Sequence, residues 1–217
     1  MHLKRNEMPL TWPLPRKGTK YVAVASHNKR EGIPLVVLLR DVLRLAENRR
    51  EVKKILNEKI VEINKKRVRD IRYPVCLFDV VSFPEIKKNY RLMFSEKKKI
   101  ILKEISEKES ETKIFKVMNK KLLKKNIVQI NLMHGKNINS KENIKVGDSV
   151  MLNLKNNDII KILPLEKKRE VFVMSGKHLG ISGKVEDIFE RGNKIIAKIN
   201  YKNKKINVWI KNLIVVD

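Results

Sequence analysis

The 217-residue sequence predicts an α+β chain of several modules, on three observations. Residues 1–32 are rich in proline, glycine and cations. Residues 33–84 open with apolar residues at helical spacing, and short alternating β segments separated by turn residues fill the rest. The expected architecture is a basic N-terminal arm (1–32), a small helix–helix–hairpin module (33–84), a β-rich central domain (85–170) and a compact C-terminal β-barrel (171–217).

The arm contains Pro9, Pro13, Pro15, Gly18 and Gly32. Proline removes a backbone donor and clashes with the preceding helical turn, so no long helix fits. An extended segment that orders in part on binding is expected.

The second module begins at Pro34, which a first helical turn accepts. Leu35, Leu38, Leu39, Val42 and Leu43 predict a helix reaching about Ala46. Asn48 is a good N-cap for a second helix through Val52, Ile55 and Leu56. Lys59–Ile63 alternates like a strand, Asn64-Lys65-Lys66 turns, and Arg67-Val68-Arg69 starts the return. Tyr73-Pro74 breaks the chain before a strand over 77–81.

Further β segments are expected at 90–94, 100–102, 127–132, 148–152 and 159–162, while spacing over 116–125 leaves helix and strand both open. From 171, strands at 171–174, 185–188, 195–199 and 206–210 surround Gly176, Gly180 and Gly183.

Charge bounds the function. Lys and Arg number 50 against 24 Asp and Glu, a net charge of +26 with a pI of about 10.1. A compact fold with that surplus repels itself and calls for a polyanionic partner. Nucleic acid fits best, because neutralising phosphates releases condensed counterions. A membrane surface needs an anchoring amphipathic helix or a lipidation site, and neither is evident. The longest apolar run, Pro34 to Leu39, is too short to span a bilayer, and the N-terminus lacks a signal-peptide core, which makes the expected location cytoplasmic.

Hydrophobic residues at 42% suffice for packed cores. The single cysteine, Cys76, excludes an internal disulfide framework and a cysteine-rich zinc site; within Val75-Cys76-Leu77-Phe78 it reads as a small buried hydrophobe. Four histidines without paired ligand spacing give metal catalysis no foundation, and no cofactor or small-molecule substrate is expected.

The candidate binding residues are cations in patterns. Arg40 with Arg44, Arg49 with Lys53, and Arg50 with Lys54 are each spaced one helical turn apart. Such rows are ordinarily solvated helix faces. Here Glu47 and Glu51 are outnumbered, and Arg forks suit phosphate, so RNA contact is favoured. Lys59, Lys65, Arg67 and Arg69 add charge along the hairpin.

In the arm, Lys4, Arg5, Arg16, Lys17 and Lys20 surround Trp12. Its ring either stacks on an exposed base or packs back on the helical unit. Gly176, Lys177, His178 and Lys184 form a glycine-rich segment between strands, where the backbone approaches a partner closely or simply turns. Its order and context differ from a nucleotide-hydrolase phosphate loop. Asp79, in an apolar strand, reads as a satisfied structural carboxylate. No acid–base pair, nucleophile triad or metal cluster stands out.

Several stretches resemble a known family. They are His2-Leu3-Lys4-Arg5, Trp12 to Lys20, Ile33 to Leu43, Glu51 to Asn57, Tyr73-Pro74, Leu77 to Val80, Asn137-Ile138, Gly147-Asp148 and Gly176 to Gly180. In this order they are similar to the archaeal and eukaryotic small-subunit ribosomal protein family S4e, archaeal-type by length, across essentially the whole chain. The arm between Val24 and Ile33 departs from the family pattern, being shorter and without its prolines.

The resemblance implies a multi-module rRNA binder without catalysis. Residues 33–84 would be the RNA-binding module of alpha-L type, and residues 171–200 a KOW motif on an SH3-like barrel. The implied partners are small-subunit rRNA and neighbouring ribosomal proteins. Two other functions use the same modules. One is an RNA-modifying enzyme, which needs a separate catalytic domain with a placed Asp. The other is a KOW-bearing translation or transcription factor.

Overall fold

The computed structural model describes residues 2–58, 60–123, 127–140 and 142–216. The chain is mostly β with few, short helices, and it divides into two compact units, Met1–Glu111 and Thr112–Asp217.

In the first unit the arm is folded rather than extended. Strands β1 (Leu3–Lys4) and β2 (Tyr21–Val22) pair antiparallel and close the intervening residues into a loop. Arg5 braces that loop: its guanidinium donates to the Pro15 carbonyl at 2.8 Å, the Thr19 carbonyl at 2.7 Å and the Thr19 hydroxyl at 2.8 Å. Met8 and Trp12, each 3% exposed, join the core. Lys99 Nζ donates to the carbonyls of Leu10 at 2.7 Å and Trp12 at 3.2 Å, fastening the loop from outside. A proline-rich segment lacks the donors for a helix, but two apolar anchors and borrowed donors suffice to dock it.

Strand β3 (Ile33–Pro34) leads into α1 (Leu35–Val37) and a wide π turn over Leu38–Val42, where the Leu43 N–H donates to the Leu38 carbonyl at 2.9 Å. The helix expected to reach Ala46 therefore stops four residues early, and Arg44 turns the chain at φ +54°. Leu35 through Leu39 are all buried, so apolarity here reflects burial on every side rather than one helical face.

Helix α2 (Arg49–Asn57) begins where expected: the Asn48 side-chain oxygen accepts from the N–H groups of Arg50 at 2.9 Å and Glu51 at 3.0 Å. Its Val52 and Leu56 are buried.

Strands β4 (Glu62–Ile63) and β5 (Lys66–Arg67) form a tight hairpin. Asn64 and Lys65, at φ +52° and +60°, make the two-residue turn whose twist suits an antiparallel pair. β6 (Pro74–Val75) pairs with β3, which brings the ends of the helical segment together.

The strand expected over 77–81 starts only at Val80, because Phe78 at φ +62° bends the chain first. β7 (Val80–Phe83), β8 (Lys88–Phe94) and β9 (Ile100–Ile105) complete a sheet in the order β5-β4-β7-β8-β9. The β7–β8 turn contains position 84, so the strands on its two sides belong to one sheet. A short α3 (Glu107–Ser110), with a Ser106–Glu109 capping box, ends the unit.

Among the described residues, the second unit holds two antiparallel five-stranded sheets. β10 (Thr112–Leu122), β11 (Val128–Leu132), β12 (Asn137–Ser140), β13 (Ser149–Asn153) and β14 (Ile159–Leu163) run in the order β12-β11-β10-β13-β14. The open stretch from Lys116 is thus strand through Leu122, and its residues 124 and 125 lie outside the described residues.

β15 (Glu170–Val173), β16 (Ser182–Arg191), β17 (Lys194–Tyr201), β18 (Lys204–Trp209) and β19 (Leu213–Val215) run in the order β18-β17-β16-β15-β19. Val171, Val185, Ala197, Ile199 and Val215 alternate into the core of this sheet.

Candidate nucleic-acid interface

Helix α2 carries the clearest cationic face. Val52 and Leu56 point inward, which leaves Arg49, Arg50, Lys53 and Lys54 exposed. Glu51 turns its carboxylate to the start of the helix, where it accepts from the Glu47 N–H at 2.7 Å and the Asn48 amide at 2.5 Å. Lys54 meets Glu58 at 3.8 Å, an exposed pair that water largely screens.

Arg40 and Arg44 do not share a face as expected. Arg40 forms a two-point ion pair with Asp41 at 2.8 and 3.0 Å, and this hydrogen bonding raises the guanidinium pKa. Arg44 lies beyond the helix in a left-handed conformation, exposed. Hairpin residue Arg67 sits opposite Glu62, 3.5 Å away, Arg69 is exposed, and Lys65 occupies the turn. Lys59 lies outside the described residues.

Around the arm, Lys4, Arg16, Lys17 and Lys20 are exposed, with Arg16 donating to the Asn6 carbonyl at 2.8 Å. Arg5 spends its donors within the loop. Trp12 is a correction: at 3% exposure its ring has no free face for a base, so it is the hydrophobic plug of the two alternatives.

In the second unit, Gly176 at φ +92° and Gly180 at φ +86° shape the loop that carries exposed Lys177 and half-buried His178. Lys184 is exposed on β16. Gly183 serves another purpose, since a Cβ there would lie 2.4 Å from the Asn200 carbonyl oxygen of β17.

Asp79 is structural. Its carboxylate accepts from the Asn64 amide at 2.7 Å and the Cys76 N–H at 2.6 Å, with 4% exposure. Two lysines that sequence reasoning counted only as charge are also structural, Lys99 at the arm and Lys116 within the second unit. The basic surroundings expected of Trp12 occur instead at Trp209, with Lys194 and Lys211 at its ring. Lys211 is two residues from Trp209 in the sequence, whereas cross-strand register brings Lys194, which linear spacing does not reveal.

Among the described residues no group of three or more His, Cys, Asp and Glu is placed to hold a metal ion. No helix among them is long and apolar enough to cross a membrane.

The profile of the ribosomal family S4e matches residues 86–159, and that of the S4 domain matches residues 33–81. The small ribosomal subunit protein eS4 of Nanoarchaeum equitans is 33% identical over 98% of this chain and 94% of its own length. The eS4 of Archaeoglobus fulgidus is 36% identical over 86% of this chain and 79% of its own. The crystal structure of the 30S ribosomal protein S4e from Thermoplasma acidophilum superposes with a TM-score of 0.75, covering 87% of this chain and 96% of that one, at 20% identity. An S4 segment, an S4e segment and near-full-length similarity to eS4 proteins together show that the chain belongs to the ribosomal S4e family.

Proposed function

We propose that the chain is a non-catalytic structural constituent of the small ribosomal subunit that binds folded rRNA through its basic surfaces. The observation that carries this reading is the α2 face: four exposed cations opposite a buried apolar stripe, inside the S4 segment, with only the exposed Lys54–Glu58 pair shown among them. The relatives are named as small-subunit ribosomal proteins, which supports rRNA and adjoining ribosomal proteins as partners and the cytoplasmic ribosome as the location.

Within this reading residues 33–84 are the alpha-L-type module. The C-terminal sheet is an SH3-like barrel of KOW type, a proposal supported by its five antiparallel strands and by the 3-10 turn Ile210–Asn212 before the last. Exposed Lys4, Arg16, Lys17, Lys20, Arg44, Arg69, Lys177 and Lys184 extend the phosphate-binding surface beyond α2.

Salt titration tests the mechanism. With roughly 6–10 phosphate contacts, affinity for a small-subunit rRNA fragment should fall by about 10³–10⁵ between ~50 and ~200 mM salt. A flat response to salt refutes the electrostatic mechanism.

A further inference from the structure

Trp209 of β18 lies directly opposite Ile196 of β17, and Ile196 lies directly opposite Phe189 of β16. Opposed residues of an antiparallel sheet share a face, so these side chains form one apolar line across three strands. The core takes the alternate positions Ile188, Ala197 and Val208, which puts the line on the outer face. All three residues are partly exposed.

Cations flank the line. Lys211 Nζ is 4.7 Å and Lys194 Nζ 5.4 Å from the centre of the Trp209 ring, both within cation–π range. Lys198, two residues from Ile196, shares the face. Two carboxylates of β16 are paired, Asp187 with Lys167 at 2.8 Å and Glu186 with Lys205 at 3.4 Å, while Glu190 lies opposite Ile195, on the alternate face to Phe189. Cation–π attraction at an exposed ring is weak, so these ammonium groups can exchange the ring for phosphate.

A single-stranded nucleotide needs an aromatic face for its base and cations beside it for the adjoining phosphates. The outer face of β16–β18 supplies both. We propose that Trp209, backed by Ile196 and Phe189, stacks an unpaired base of single-stranded RNA while Lys194 and Lys211 hold the flanking phosphates. This rests on the RNA-binding reading above and adds to it a second kind of contact, with an unpaired base rather than a folded helix.

Tryptophan emission of the full chain tests it, with a short oligouridylate and a small-subunit rRNA fragment as probes. The chain has two tryptophans, and Trp12 is 3% exposed, so a change on binding reports Trp209. Oligouridylate should quench the emission. Trp209→Leu should abolish the quenching and weaken oligouridylate binding about tenfold, and Trp209→Phe should restore most of the affinity.

Unchanged emission at saturating oligouridylate, or Trp209→Leu binding as tightly as the parent, overturns the proposal. If Trp209→Leu fails to fold, the emission of the unaltered chain and the affinity of Trp209→Phe decide. A chain that binds the rRNA fragment with Trp209 emission unmoved loses this site only and leaves the face to a protein partner. A chain that binds neither probe overturns the RNA-binding reading as well.

Discussion

Lys116 donates its ammonium to the Leu213 carbonyl at 2.6 Å, joining the long strand β10 to the last strand of the chain. The Ile210 carbonyl accepts from the same nitrogen. The side chain is 3% exposed, and burial lowers its pKa from 10.5 to about 8. The unfolded chain therefore binds more protons than the folded one between about pH 8 and 10.5, and stability rises with pH across that window. We expect a gain on the order of 3 kcal/mol attributable to this residue. Urea denaturation at stepped pH, compared with Lys116→Met, checks it: the difference between the two proteins should change only inside the window. Equal slopes refute the assignment.

Replacing Arg49, Arg50, Lys53 and Lys54 together with Ala should weaken binding to an rRNA fragment and reduce the salt slope by about 3–4. Circular dichroism should stay unchanged, because all four are exposed. Lost helicity or a melted chain would instead make them structural.

Asn48→Ala should cost about 1 kcal/mol, since it leaves the N–H groups of Arg50 and Glu51 without their cap. A thermal melt reads this directly, and Asn48→Ser should recover most of the loss.

Trp12→Ala should destabilise the first unit by about 3–5 kcal/mol. The arm should then become the first site of limited proteolysis, held by Met8 and the smaller apolar contacts of Leu3 and Leu14, and by the bonds from Lys99 and Ile100. Proteolysis that leaves the arm intact argues that those ties suffice without the ring.

Gly183→Ala should be destabilising by about 1–3 kcal/mol, because a methyl group would collide with the β17 backbone at Asn200. Gly192→Ala meets nothing within 4 Å and bears only the strain of φ +59°. Comparing the two melts separates crowding from backbone conformation.

The charge surplus, the Asn48 cap, the α2 face and most strands after residue 85 are legible in the amino-acid sequence. These depend on local features: capping chemistry, the 3.6-residue period, β-alternation and turn residues. The buried roles of Cys76 and Asp79 were legible too, because an isolated thiol or carboxylate in an apolar run has few other fates.

Other features depend on contacts between distant parts of the chain. The Leu35–Leu39 run is apolar because it is enclosed on all sides, so its spacing could not say where the helix would end. Trp12 and Trp209 look alike in the sequence, each with cations close by in the chain. One is sealed by the packing of its loop, and the other is left on an outer sheet face by cross-strand register. Lys99 and Lys116 bind backbone carbonyls, whereas the lysines of α2 face water. A lysine's role depends on whether the fold places a carbonyl or solvent at the end of its side chain, and sequence spacing does not encode that distance.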